Sequence, residues 1–289
     1  MPTNFHDAGA DIPNSAVRRL TNIFFLIDTS GSMADHGKID AVNNAMHEAI
    51  PIVREFAAKD AAHKIQCSVL EFNSGVKWIT EKPVDAEDLQ WIDLEARGGT
   101  YLGAAYAELA KKLTRGEGGY MAKHLNNAPI IILLTDGYPL DDAAAGLATL
   151  KKSRWFDAAV RIAIEITGGD VNRQQLLDFA KGPELVIPVD SDRLQHELTN
   201  IVVASMTNSA NAQDVINAVV GGRSERISEA IPSMNIDPAP NSETPKPATG
   251  TIGLDDFEFK SLDFSNLSLR FYVGGMLGSS NMHVLKIEP

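Results

Sequence analysis

Two apolar runs that each stop at an aspartate constrain this chain more than any other feature. Residues 22–28 read Asn-Ile-Phe-Phe-Leu-Ile-Asp, and residues 129–136 read Pro-Ile-Ile-Ile-Leu-Leu-Thr-Asp. Neither alternates polar with apolar residues, so each predicts a strand covered on both faces. Such strands belong to parallel sheets, whose crossovers lay helices above and below. The neighbouring patterns agree. Over Lys38–Lys59, Ile39, Val42, Ala45, Met46, Ala49, Ile50, Val53 and Phe56 recur at helical spacing, with Pro51 as a candidate kink. Residues 64–72 and 76–80 read as a hairpin around Asn73-Ser74-Gly75. Further helices are expected at 102–113, 141–153, 172–180 and 191–206. Further strands are expected at 158–166 and 185–189, with 89–94 extended. The fold class is therefore α/β: a doubly wound, Rossmann-like, mostly parallel central sheet with helices on both faces, plus a C-terminal extension.

The 289 residues divide by composition. An N-terminal segment covers 1–19, the α/β domain 20–206, and a helical connector 207–231, where Gly221-Gly222 weakens the helix. Residues 232–254 hold Pro232, Pro238, Pro240, Pro245 and Pro247 and read as a linker. Residues 255–289 read as a strand-like segment, with Phe257, Phe259, Phe264 and Phe271 among acidic and polar neighbours. A formal charge of −12 repels phosphate backbones, and no dense basic run offsets it. Nucleic-acid binding is not expected. No apolar stretch approaches the roughly 20 residues of a membrane span. The polar residues 1–19 lack the apolar core of a secretory signal, which places the chain in the cytoplasm. Cys67 is the only cysteine. It allows neither an intrachain disulfide nor a thiolate zinc site, and reads as a packing residue.

Three segments carry the chemistry: Asp28-Thr29-Ser30-Gly31-Ser32, Gly98-Gly99-Thr100 and Thr135-Asp136-Gly137. Two of them directly follow an apolar strand. In an open α/β sheet the loops at the carboxyl ends of strands share a crevice where the winding reverses. Asp28, Ser30, Ser32, Thr100 and Asp136 would thus converge on one rim. Carboxylate and hydroxyl oxygens suit a hard cation such as Mg²⁺ or Mn²⁺. Two carboxylates and three neutral hydroxyls leave the coordination sphere incomplete, with a position for water or an incoming acidic group. Helix capping accounts for one or two of these residues but not for the set. Asp141-Asp142 reads as the acidic first turn of a helix. His6, His36, His47, His63, His124, His196 and His283 show no zinc-like spacing.

Asp28-x-Ser30-x-Ser32 with a distant Thr100 and Asp136 resembles the metal-ion-dependent adhesion site of von Willebrand factor A domains. The resemblance covers about residues 20–206. Asp28-Thr29-Ser30-Gly31-Ser32-Met33, Lys38-Ile39 with Ala41-Val42-Asn43, Gly98-Gly99-Thr100-Tyr101-Leu102-Gly103 and Leu134-Thr135-Asp136-Gly137-Tyr138-Pro139 are most similar to the bacterial TerY-like branch, linked to tellurite resistance and stress. The resemblance implies a module that binds protein partners through the metal. Asp28, Ser30 and Ser32 would be direct ligands, with Thr100 and Asp136 direct or water-mediated. A partner's Asp or Glu would complete the sphere, and a kinase, a phosphatase or a MoxR-type AAA+ ATPase is the implied kind of partner. Carboxylates of the tail, Asp255, Asp256 or Glu258, could fill the same position in cis. An enzyme is not expected. Ser30 stands where a haloacid-dehalogenase phosphatase needs its second Asp, and the chain has no phosphate-binding glycine loop.

Overall fold

The computed structural model describes residues 18–121 and 126–230, with side chains up to residue 221. The linker expected at 232–254, the strand-like segment at 255–289, its carboxylates and most of the N-terminal segment lie outside the described residues.

Seven strands form one sheet: β1 (Arg19–Asp28), β2 (His63–Phe72), β3 (Val76–Trp78), β4 (Val84–Asp85), β5 (Ile130–Thr135), β6 (Val160–Ile166) and β7 (Val186–Val189). Their order is β3-β2-β1-β5-β6-β7, with β4 also on β2. β1, β2, β5, β6 and β7 run parallel, while β3 and β4 are antiparallel to β2. The two unalternating runs become the central pair. Residues 21–28 of β1 and all six residues of β5 are buried. Winding goes from β1 to β2 on one side and from β5 to β7 on the other, so it reverses between β1 and β5. Asp28 and Asp136 stand at the carboxyl ends of that pair, where an open α/β sheet forms its crevice.

The described residues form seven helices: α1 (Lys38–Lys59), α2 (Leu102–Lys112), α3 (Ala143–Leu150), α4 (Arg154–Ala158), α5 (Arg173–Phe179), α6 (Leu194–Thr207) and α7 (Ala212–Ala230). α1 packs beside α6 and α2 beside α3. Alternate strand residues serve the two layers, as a pleated sheet requires. Phe25, Ile27, Ile132 and Leu134 meet Val42 and Met46 of α1 and Leu198 of α6. Across the sheet, Phe24 stands edge-on to Trp78, while Tyr106 stacks on Phe179 at 5.6 Å.

α1 has the bounds its periodicity predicts, and exposed Pro51 sits within it. Three expectations are refined. The helix expected at 141–153 is α3, Ala143–Leu150, and of the two aspartates only Asp142 caps it. The Asp141 carboxylate accepts from Gly103 N and Ala104 N at the start of α2, while Asp142 Oδ1 caps α3 through Ala145 N at 2.9 Å. Residues 89–94, expected to be extended, belong to no strand and are bonded by the Asn43 amide. It donates to Leu94 O and accepts from Leu94 N and Trp91 Nε1. The added strand is instead β4. Gly221-Gly222 does not stop α7, which runs to Ala230 and packs on α6, with Val215 and Val219 buried. No helix among the described residues is long and apolar enough to cross a membrane.

Candidate metal centre

The chain turns sharply after β1 because Asp28 serves its own loop. Asp28 Oδ1 accepts from Ser30 N at 2.8 Å, an Asx-type turn. Asp28 Oδ2 accepts from Thr135 Oγ1 at 2.5 Å, at the end of the adjacent β5. A 3-10 turn over Gly31–Gly37 follows, pinned by fully buried Met33 and released into α1 through His36 and Gly37, both at positive φ. Within it Ser30 Oγ and Ser32 Oγ lie 3.1 Å apart. Ser32 Oγ donates to Asp136 Oδ1 at 2.7 Å, so the first and third segments touch directly.

The middle segment is tied by its backbone to both others. Arg97 N donates to Thr29 O at 2.7 Å, and Gly31 N donates to Gly98 O at 2.9 Å. Gly98 holds φ +73°, a conformation that favours glycine. On the other side, Leu140 N donates to Thr100 O at 2.8 Å. The Thr100 hydroxyl comes to rest over Gly137. A Cβ there would stand 2.9 Å from Thr100 Oγ1 and 3.7 Å from Asp28 Oδ2. All five residues expected on the rim are thus brought together. Asp28, Ser30, Thr100 and Asp136 are buried and Ser32 is half-buried.

Two contributors escape a reading by motif. Lys38, the first residue of α1, is 3% exposed and places Nζ 2.7 Å from Asp136 Oδ2. Thr135 holds Asp28 in place while accepting from Gly137 N at 3.2 Å. Their partners lie 98 and 107 residues away in sequence. The one available signal is that Lys38 is the first cation after the Asp-x-Ser-x-Ser loop.

The electrostatics fit a cation. Burial pushes the Asp28 carboxyl up from 3.8 to about 6, against the pull of the Thr135 and Ser30 hydrogen bonds, and the nearby Asp136 charge adds to the rise. Loss of water is the main cause, and Lys38 pairs with Asp136 rather than Asp28, so a cation bound beside Asp28 would favour its charged form. All donors are oxygens. Among the described residues no group of three or more His, Cys, Asp and Glu gathers. Asp28, Ser30, Ser32, Thr100 and Asp136 suit a hard divalent ion.

Comparison with known proteins identifies the family. The family profile of the von Willebrand factor type A domain matches residues 22–202. No curated protein matches the chain. Among solved structures, a von Willebrand factor type A protein from Catenulispora acidiphila aligns at 18% identity and TM-score 0.45, over 65% of this chain and 43% of that one. Proximal thread matrix protein 1 from the mussel byssus, in a form with a zinc-occupied MIDAS motif, aligns at 19% identity and TM-score 0.45, over 66% and 46%. The ArnB paralog VWA2 from Sulfolobus acidocaldarius aligns at 21% identity and TM-score 0.44, over 62% and 44%. The chain spans less than half the length of each of these structures. With 22–202 taking in both strand-end aspartates and the loops between them, the chain belongs to the von Willebrand factor type A domain family.

Proposed function

We propose that the chain is a metal-dependent protein-interaction module. Asp28, Ser30 and Ser32 hold Mg²⁺ or Mn²⁺ directly, and Thr100 and Asp136 complete the set directly or through water. The bound ion supplies a Lewis-acidic position for a carboxylate of the partner. The observation that carries this reading is the convergence of five oxygen donors from three loops on one partly open rim.

The surroundings of the rim support a protein as the ligand. Tyr101, Tyr138 and Leu140 are 38%, 52% and 69% exposed, although large apolar side chains are otherwise mostly buried in the described residues. Each is next to a metal-site residue or within four positions of one. A Cβ on Gly99 would lie 2.7 Å from Leu140 Cδ1 and 3.7 Å from Tyr101 Cε1, so two of the three share one patch. Exposed apolar side chains around a polar centre mark interaction sites. The partner's Asp or Glu should therefore be flanked by apolar residues. The TerY-like segments at 98–103 and 134–139 favour a bacterial stress or tellurite-resistance setting, with a kinase or a phosphatase as the partner; a MoxR-type AAA+ ATPase is the alternative.

The test is affinity capture from a bacterial lysate by wild type, Asp28→Ala and the double variant Tyr138→Ser with Leu140→Ser, each with Mg²⁺ and with chelator. Wild type should retain a defined partner only with Mg²⁺. Asp28→Ala should retain none, and the double variant should retain less while still binding Mn²⁺. Capture indifferent to chelator and to Asp28→Ala would sink the reading.

A further inference from the structure

The sheet has a second pole. α2 and α3 both start at the metal-site rim and run back toward the amino ends of the strands, and α2 alone covers about 16 Å at 1.5 Å per residue. Their far ends carry two basic stretches, Lys111-Lys112-Leu113-Thr114-Arg115 and Lys151-Lys152-Ser153-Arg154. These hold six of the chain's 26 Lys and Arg residues and no carboxylate. Each is too short to stand out alone, but the packing of α2 on α3 sets them on facing lips of one groove.

The groove is shallow and open to solvent, with about 700 Å³ of space over it. Leu113, Ala110 and Trp155 contribute its apolar floor, and Arg115, Lys152 and Arg154 its lip. Arg115 lies 4.8 Å over the Trp155 ring, which holds its guanidinium at the edge of the apolar surface. Among the described residues no carboxylate lies within ion-pair distance of Arg115, Lys152 or Arg154, whereas Lys111 pairs with Glu108 at 2.7 Å. Favourable contact with helix carboxyl ends accounts for Lys111, Lys112, Lys151 and Lys152. It does not account for Arg154, which opens α4, or for Arg115, which lies three residues beyond α2.

We propose that this groove docks an acidic peptide segment of a partner protein. One bulky apolar side chain of that segment sits on Ala110, Leu113 and Trp155, and its carboxylates meet Arg115, Lys152 and Arg154. Charge complementarity carries the assignment: three cations with no ion pair among the described residues border an apolar surface. Three cations are too few to follow a polyphosphate such as RNA, whose binding rests on many phosphate contacts. The apolar residues between the cations give a bulky side chain a place to rest. The site is independent of the metal centre.

The experiment selects peptides from a displayed random library on the full-length chain in EDTA, which silences the metal site. Enriched sequences should combine Asp or Glu with Phe, Trp or Leu. A synthetic copy of the best peptide should bind the triple variant Arg115→Glu, Lys152→Glu, Arg154→Glu at least tenfold more weakly. It should also lose at least tenfold against Ala110→Trp, which fills the floor and keeps every cation. Circular dichroism checks that both variants fold. No enrichment, enrichment without acidic residues, or affinity unchanged in both variants would overturn the proposal. So would tighter binding of single-stranded RNA or phosphatidylserine vesicles than of any peptide. Because the selection excludes metal, its failure leaves the metal-site reading untouched, and the converse also holds.

Discussion

Lys38 separates this site from a bare set of oxygen donors. Its ammonium offsets one carboxylate charge, that of Asp136, beside the position proposed for a dication. Lys38→Met should therefore tighten Mn²⁺ binding at least tenfold in calorimetry. It should also lower the unfolding midpoint in chelator, because a buried Asp136 without its partner costs about 3–5 kcal/mol. Equal or weaker Mn²⁺ affinity would show that the lysine does not compete with the ion. Asp28 gives a pH signature. Its carboxyl sits near 6 in the folded chain against 3.8 for the ordinary group, so the folded state holds the proton more tightly. The stability this contributes is full below about pH 4 and is lost as pH rises toward 6. In EDTA, the stability of wild type relative to Asp28→Asn should fall by about 2–3 kcal/mol across that window. A flat difference would contradict the burial argument. At this scale the five donors were legible because each stands in or beside a Ser/Thr/Gly turn, two of them after an apolar run. Lys38 and Thr135 were not, since their roles depend on strand register.

The elements explain why those donors meet. The loop before α2 is hydrogen-bonded to the loop after β1 on one side and to the loop after β5 on the other, so Thr100 is set by backbone rather than by its own side chain. Gly137 leaves the space that the Thr100 hydroxyl uses. Gly137→Ala should weaken Mn²⁺ binding several-fold, because its Cβ would stand 2.9 Å from Thr100 Oγ1. Unchanged affinity would mean that Thr100 is not part of the site. α2 also carries a removable cost. The Tyr106 ring is fully buried against Phe179, and its hydroxyl has no hydrogen-bond partner among the described residues. Tyr106→Phe should be neutral or stabilising by about 1 kcal/mol in urea unfolding, since a buried hydroxyl left unbonded costs free energy. Marked destabilisation would reveal a partner for the hydroxyl. Periodicity was enough for α1, whose apolar stripe is unbroken. At 141–153 it found α3 but not the partner of Asp141, because spacing does not tell which helix a carboxylate caps. At 89–94 it did not reveal that the Asn43 amide binds the segment.

At the scale of the whole molecule, the reversal of winding between β1 and β5 turns two separate aspartates into one site. Unalternating runs make a doubly wound sheet legible, but strand order comes from packing. So does the basic groove, whose halves are about 40 residues apart and read as scattered charge in the sequence. Cys67 reports on the integrity of this body. It is fully buried in β2, and burial pushes its thiol up to about 12. Alkylation by iodoacetamide should proceed only through unfolding and should slow further with saturating Mn²⁺, which stabilises the state that binds it. Rapid labelling of the native chain would contradict the packing of the sheet. The central claim is tested most directly by calorimetric titration of Mn²⁺ into wild type and Asp28→Ala, with folding checked by circular dichroism. A single site in wild type, at least a hundredfold weaker in Asp28→Ala, is the predicted result. No Mn²⁺ binding by the folded wild type, or equal affinity in the variant, would contradict the assignment of a metal centre to Asp28, Ser30, Ser32, Thr100 and Asp136.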